Sequence, residues 1–292
     1  MQTIKFRTEY LPVRENFTLN PEKPVLLMGS CFADNISQRM QFCRWNACNP
    51  FGVLFNPLSI ARVLRMSLSG LYADIPDSIF GNEGIFHSWL FDSKKSGSSA
   101  DEVLDRIAES FSTFDSIIKE AEALFITFGT SWCYFLNEDD YVVANCHKQP
   151  QALFTRRRIG IEEIADTWLP LLEELHNRYP LLKVIFTVSP VRHLKDGFEG
   201  NARSKAVLTL AIEKLCERYD FCRYFPAYEI VTDDLRDYRF YARDLVHPSD
   251  TAVEYIWDVF QETYLDSVGK EKLKAGEKET KRSLHRNIIG NR

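Results

Sequence analysis

The sequence lacks long apolar runs, paired cysteine motifs and a basic surplus, and each absence excludes a class of protein. No run of about 18 apolar residues occurs, so no membrane span is predicted. The seven cysteines are odd in number and include no C-x-x-C pair, which favours reduced thiols over a disulfide framework. A formal net charge of −5 argues against nucleic-acid binding. Glycine-rich phosphate motifs and H-x-x-x-H pairs are also missing, so no metal and no cofactor are predicted.

The two ends of the chain differ from its body. Residues 1–20 mix charged and apolar residues without an apolar stretch of signal-peptide length, and we therefore expect a cytoplasmic protein. Residues 267–292 contain eight Lys or Arg and three Glu, which predicts a charged, basic C-terminal tail. Such a tail could contact a phosphate surface, but a solvated and partly frayed chain end is the simpler interpretation.

Short apolar runs alternate with amphipathic segments along the chain. Strands are predicted at residues 25–29, 123–128 and 183–188, with a shorter one at 221–225. Helices are predicted at 161–178 and 202–219, and a closing helix, capped by Ser249 or Asp250, extends to Tyr264. This alternation is typical of a parallel sheet covered on both faces. We expect one α/β domain over residues 1–266, built as a three-layer α/β/α sandwich.

A long insertion separates the first two predicted strands. It covers about residues 43–121, with helices near 57–68 and 101–121 and an irregular stretch between them. Insertions of this length over a sheet often form a lid or a specificity wall. His87 and Trp89 lie in it, either as part of a local aromatic cluster that anchors the loop or as substrate contacts.

Ser30 directly follows the first predicted strand and precedes a helix that begins near Phe32. Open α/β sheets place their sites beyond the carboxyl ends of parallel strands, and a helix N-terminus stabilises negative charge. Ser30 is therefore a candidate nucleophile, and equally a candidate N-cap. The adjacent Cys31 is an alternative nucleophile, since helix N-termini lower the pKa of a thiol.

Asp244 stands three residues before His247, in a loop ahead of the closing helix. This spacing lets the carboxylate orient one imidazole nitrogen while the other nitrogen faces a hydroxyl, so Ser30, His247 and Asp244 form a coherent triad. His193, after the third strand, is an alternative base or a substrate contact. Its neighbour Arg192 is able to bind a carboxylate or phosphate. Both also fit exposed loop positions without a function.

The pentapeptide Gly29-Ser30-Cys31-Phe32-Ala33 spells the signature of the GSCFA family, and the chain resembles this branch of the SGNH or GDSL-type hydrolases. The Asp-x-x-His-Pro sequence at 244–248 and the strand pattern extend the resemblance over residues 25–264. The resemblance implies Ser30 as nucleophile, His247 as general base and Asp244 as its orienting acid. It also implies hydrolysis or transfer of an ester-linked acyl group without cofactor or metal.

The same resemblance implies an oxyanion hole. In the SGNH pattern the N–H of the nucleophile, here Ser30, acts with a glycine and an asparagine. Gly52 is the counterpart of the glycine, and Ser131 stands where the asparagine belongs. Loss of one such donor typically lowers the rate by about 10²–10³; Thr130 or Asn49 could compensate. The candidate substrate contacts are Asn49, Gly129, Thr130, Arg192, His193, His87 and Trp89.

Two functions follow from these patterns. The first is a serine-dependent esterase or acyl-transferase that acts on an O-acylated carbohydrate or another small molecule. The second is a non-catalytic binding module that keeps the fold and the pocket, because the oxyanion asparagine is missing. No oligomeric state is predicted.

Overall fold

A parallel sheet forms the centre of the molecule. The computed structural model describes residues 7–290, with side chains to residue 286. Residues 1–6 of the N-terminal segment and residues 291–292 of the predicted basic tail therefore lie outside the described residues. The strands of this sheet are β1 (Val25–Gly29), β2 (Ala47–Cys48), β5 (Ala123–Phe128), β9 (Lys183–Val188) and β10 (Cys222–Tyr224). They lie in the order β10-β9-β5-β1-β2, and every pairing is parallel. The predicted strand bounds therefore agree with the structure, apart from one residue at each end of β10.

Helices cover both faces of the sheet. One face carries α1 (Cys31–Phe42), α6 (Ala227–Glu229), α7 (Asp250–Tyr264) and α8 (Ser267–Gly290). The other carries α2 (Pro57–Ser69), α3 (Ala100–Ile117), α4 (Ile161–Arg178) and α5 (Gly197–Arg218). In β1, Leu26 and Met28 face the α2–α5 layer whereas Val25 and Leu27 face the α1–α7 layer, because successive strand residues point to opposite faces. The three-layer α/β/α sandwich is confirmed. None of the helices described is long and apolar enough to cross a membrane.

The long insertion completes the sheet and the core. It supplies the edge strand β2, in which Ala47 pairs with Val25 of β1, and the core helices α2 and α3. The stretch expected to be irregular contains a hairpin of β3 (Ile79–Asn82) and β4 (Ile85–Ser88). Its turn residues, Glu83 and Gly84, adopt φ of 49° and 80°. Two left-handed residues match the twist of the paired strands, and glycine adopts that conformation without strain.

A second, antiparallel sheet follows β5 and was not predicted. It consists of β6 (Trp132–Leu136), β7 (Tyr141–Val143) and β8 (Phe154–Arg158), in the order β7-β6-β8. Cys133 and Phe135 of β6 are buried, whereas Trp132 and Tyr134 on its other face are partly exposed. Since β6 begins four residues after β5 ends, this sheet stands beside the carboxyl edge of the central sheet.

The basic C-terminal segment is helical rather than frayed. Leu273 of α8 is buried, and Arg39 of α1 donates a hydrogen bond from Nη2 to Glu277 at 3.2 Å. Gly276 approaches the end of α1 so closely that a Cβ there would lie 2.1 Å from the carbonyl oxygen of Cys43. The helix therefore packs against α1 through a contact that a larger residue could not make.

Candidate active site

A cavity of about 790 Å³ lies at the carboxyl edge of the central sheet. Its wall includes the residues that follow three neighbouring strands, namely Cys31 after β1, Thr130 after β5 and Val191 after β9. His247, from the loop before α7, completes this side. A cavity at this edge is where the topology of an open α/β sheet places a ligand site.

His247 lines the cavity and forms a tight pair with Asp244, which lies outside the lining. Asp244 Oδ2 lies 2.7 Å from His247 Nδ1, while Oδ1 accepts hydrogen bonds from the N–H groups of Val246 at 2.9 Å and His247 at 3.0 Å. These backbone donors and the imidazole hold the pKa of Asp244 at about 2. Leu245, between the two residues in the sequence, adopts a left-handed φ of 59°, which is rare for leucine. An ionised carboxylate on Nδ1 leaves Nε2 as the nitrogen that can act as a base.

Ser30 occupies the N-cap position, one of the two roles that the sequence predicted for it. Its side chain is the N-cap of α1, where Oγ accepts the N–H of Phe32 at 3.3 Å, and the residue is 1% exposed. Its own N–H donates to the carbonyl of Thr127 at 3.2 Å. Ser30 therefore lies behind the cavity wall, and its N–H is already used in the sheet.

Cys31, the first residue of α1, does line the cavity and is partly exposed. Burial raises the pKa of its thiol, and Asp34 raises it further. Three groups act in the opposite direction: the N–H of Cys31, the N–H of Phe32 and the ammonium of Lys205. The pKa of the thiol therefore stays above its ordinary value, because burial outweighs the backbone donors and the cation at this helix N-terminus.

Lys205 is a buried lysine that contacts the segments following β5 and β9. It is 1% exposed, and its Nζ donates to the carbonyls of Gly129 at 2.7 Å and Ser189 at 2.6 Å, which directly follow β5 and β9. Burial lowers its pKa to about 7, and the opposite charge of a Cys31 thiolate would raise it. Lys205 was not predicted from the sequence, although its position offered a signal. Lys205, Leu208, Ile212 and Leu215 share one helical stripe, so the lysine lies on the apolar face of α5.

The predicted oxyanion donors other than Ser30 also lie off the cavity wall. Gly52 adopts φ of 72° and packs against the carboxylate of Asp92, which a Cβ would approach to 3.1 Å. Ser131 is fully buried, and both its N–H and its hydroxyl donate to Ser204 Oγ, at 2.8 and 3.1 Å. The adjacent Thr130 does line the cavity.

The predicted substrate contacts divide into two groups. Thr130, Arg192 and His193 line the cavity. Burial and Lys205 lower the pKa of His193 to about 4, so this imidazole is neutral at pH 7.

The other candidates belong to the scaffold. Gly129 lies against the carbonyl of Phe55, and the Asn49 side-chain N–H₂ donates to the carbonyl of Gly52 at 3.0 Å. His87 stacks on His147 at 4.5 Å, and Trp89 stacks on Phe80 at 3.7 Å between ring centroids. These four rings form a local aromatic cluster.

Residues of the small sheet form a polar wall that the sequence did not reveal. The guanidinium of Arg156 lies 4.3 Å from the ring centroid of Trp132 and pairs with Asp196 at 2.5 Å. Three nitrogens of cavity-lining residues are buried without a hydrogen-bond partner among residues 7–286: Trp132 Nε1, Arg156 Nε and His193 Nε2. These nitrogens are enclosed by the protein, so a ligand would reach them only if the surrounding side chains moved.

The fold is that of an α/β/α protein with a cavity at the carboxyl edge of its parallel sheet. The model of the GSCFA family matches residues 24–260, and the chain belongs to this family. The predicted family is thereby confirmed. Among curated proteins, none matches the chain.

Three solved structures are similar to the chain at low identity. A Streptococcus pneumonia protein, provisionally described as a platelet activating factor, is 12% identical, with 82% of this chain and 83% of that one covered and a TM-score of 0.41. A Clostridium thermocellum family 3 carbohydrate esterase is 12% identical, with 87% of this chain and 98% of that one covered and a TM-score of 0.34. An acetyl xylan esterase from the rumen bacterium Butyrivibrio proteoclasticus is 13% identical, with 87% of this chain and 65% of that one covered and a TM-score of 0.35. At such TM-scores these likenesses carry no weight in assigning a function.

Proposed function

We propose that the protein hydrolyses or transfers an ester-linked acyl group, with His247 as general base and Asp244 as the acid that orients it. The observation that carries this proposal is the 2.7 Å contact of Asp244 with His247, because His247 lines a cavity that is also lined by Cys31 at the N-terminus of α1. A base oriented by a carboxylate, next to a helix N-terminus, is the arrangement that acyl transfer needs.

The reaction needs a nucleophile from the junction of β1 and α1. Ser30 is the residue that the family signature implies, and Cys31 is the alternative. His247 Nε2 takes the proton of the nucleophile as this attacks the ester carbonyl, and the N–H groups in the first turn of α1 stabilise the oxyanion. The same imidazole then donates the proton to the departing alcohol. Water or a second alcohol releases the acyl group, which gives hydrolysis or transfer.

We propose an O-acylated carbohydrate or a similarly small, oxygen-rich molecule as the substrate. A volume of about 790 Å³ accommodates a ligand of this size. Thr130, Arg192 and His193 place polar groups on the cavity wall, and sugar hydroxyls and acyl carbonyls are able to form hydrogen bonds with such groups. The seven free thiols support a reducing, cytoplasmic location as part of this proposal.

The test is hydrolysis of 4-nitrophenyl acetate and of acetylated sugars by the wild type and by His247→Ala. Removal of the general base should lower kcat by about 10²–10⁴. His285→Ala, at an exposed position of α8, is the matched control and should retain full activity. Equal turnover by His247→Ala and the wild type would contradict the proposal.

The binding-module alternative is favoured by one observation: Ser30 and Ser131 both lie behind the cavity wall. This alternative predicts that an acetylated sugar raises Tm without being deacetylated, and that His247→Ala leaves the rise in Tm intact. Release of acetate that depends on His247 would exclude it.

A further inference from the structure

We propose that the attacking atom is the thiol of Cys31 rather than the hydroxyl of Ser30, and that Lys205 is a positioning residue that holds a cation behind this thiol. The inference rests on the acyl-transfer function proposed above and specifies its nucleophile. It makes the expected acyl-enzyme a thioester.

Access to the cavity separates the two candidates. Cys31 lines the cavity together with His247, whereas Ser30 is 1% exposed and its hydroxyl is the cap of α1. An ester carbonyl in the cavity can therefore reach the sulfur, but the serine oxygen lies behind the wall. Because consecutive residues of a helix point about 100° apart, only one of the two can face His247.

The charges around Cys31 form the second line of support. Lys205 is fully buried, and Cys31 and His193 are the ionisable groups whose charges interact with its ammonium among the residues described. A buried ammonium without an acidic partner is costly, and its two carbonyl acceptors compensate for this only in part. A thiolate at Cys31 would supply the missing counter-charge at the step in which it forms.

Cys146 is the other thiol on the cavity wall and provides an internal comparison. Burial raises its pKa to about 11, and it lies in a loop rather than at the start of a helix. Hence the two thiols share the cavity, but only Cys31 lies at the start of a helix, where the N–H groups of Cys31 and Phe32 lower the pKa of its thiol.

The chemistry balances without a further reactant. His247 Nε2 takes the proton of the Cys31 thiol, and the thiolate sulfur bonds to the ester carbonyl carbon. The tetrahedral intermediate collapses, the C–O bond breaks, and the alkoxide leaves with the proton from His247. Water then adds to the thioester as His247 removes its proton, the C–S bond breaks, and the thiolate regains a proton as the carboxylic acid is released.

The experiment traps the acyl-enzyme with an activated acetyl ester, followed by intact mass and peptide mapping. The wild type should carry one acetyl group on Cys31 that neutral hydroxylamine removes, as expected for a thioester. Cys31→Ala should lose the adduct and about 10³-fold or more in turnover, the scale of a lost nucleophile. Cys48→Ala is the matched control, since this half-buried thiol lies outside the cavity.

The failures of the two proposals are distinguishable. An acetyl group on Ser30 that resists hydroxylamine, lost in Ser30→Ala and kept in Cys31→Ala, would overturn the thiol assignment and leave the acyl-transfer function standing. Absence of both adduct and turnover in the wild type, with every ester tried, would overturn the function and the assignment together.

The role of Lys205 is tested by the pH profile of Cys31 alkylation with iodoacetamide in Lys205→Gln. The amide keeps a hydrogen-bond donor and removes the charge, so the profile should shift to higher pH and alkylation at pH 7 should slow several-fold. Cys146 should keep its wild-type profile in the same sample, which separates this effect from a loss of folding. An unchanged Cys31 profile would overturn the positioning role and leave Lys205 with its hydrogen bonds to Gly129 and Ser189 as its only contribution.

Discussion

Replacing Asp244 by asparagine should abolish most activity while preserving the loop. The two backbone N–H groups that reach Oδ1, at 2.9 and 3.0 Å, keep an oxygen at that position. The new amide nitrogen must then take the place of Oδ2, 2.7 Å from His247 Nδ1, and donate to it. An imidazole that accepts at Nδ1 carries its proton on Nε2, and it can no longer deprotonate a nucleophile. We expect kcat to fall by about 10³–10⁴, as for a wrong tautomer in other triads, with KM little changed.

The assay is kcat and KM on an acetyl ester as a function of pH, with Asp237→Asn as the control. Asp237 Oδ1 likewise accepts the N–H two residues ahead, from Arg239 at 2.9 Å, but it lies outside the cavity. Since the pKa of Asp244 is about 2, its protonation should not limit the wild type at any pH well above that value. Retention of more than about a tenth of kcat in Asp244→Asn would refute the orienting role, because a tautomer effect should be far larger.

Three further predictions concern the scaffold, each measured by urea unfolding. Ser30→Ala should lower the free energy of unfolding by about 1 kcal/mol through loss of the α1 cap, and an unchanged value would contradict the cap. Burial lowers the pKa of Lys205 from 10.5 to about 7, so between these pH values the folded state binds fewer protons than the unfolded state. The free energy of unfolding should therefore rise with pH across this window. Lys205→Met should lack this rise. Gly276→Ala should destabilise because its Cβ would meet the Cys43 carbonyl at 2.1 Å, whereas Gly269→Ala, with its nearest contact at 3.4 Å, should be neutral or stabilising.

The parts of the fold that were predictable are those with a strong local signal. The strands β1, β5 and β9 are fully buried apolar runs, apart from the first residue of β9, and the stripes of α4 and α7 repeat at the helical period. The small sheet β6–β8 was missed because its segments are short and mixed. β8, with the sequence FTRRR, has one buried residue in five and reads locally as a charged loop.

The candidate site was predictable only in part, for a related reason. Asp244 and His247 are three residues apart, so their contact is local and follows from the spacing. Which of Ser30 and Cys31 faces the cavity depends on how α1 is rotated about its axis, and that rotation is fixed by the packing of Phe32 and Ile36 against α7 and the sheet. Lys205 meets Gly129 across 76 positions of sequence, and no local pattern encodes such a contact.

The packing of α8 against the end of α1 has a consequence for catalysis at a distance. Helix α1 is 12 residues long, or about 18 Å at a rise of 1.5 Å per residue, and it carries Cys31 at one end and Arg39 near the other. Arg39 joins α7 through Glu254 and α8 through Glu277, and Gly276 meets the carbonyl just beyond the last turn. A rigid helix that is held at one end transmits a tilt to the other, so the contacts of α8 help to hold the angle at which α1 approaches the cavity. Removal of residues 267–292 should therefore alter the geometry of the first turn of α1, although none of residues 267–286 lines the cavity.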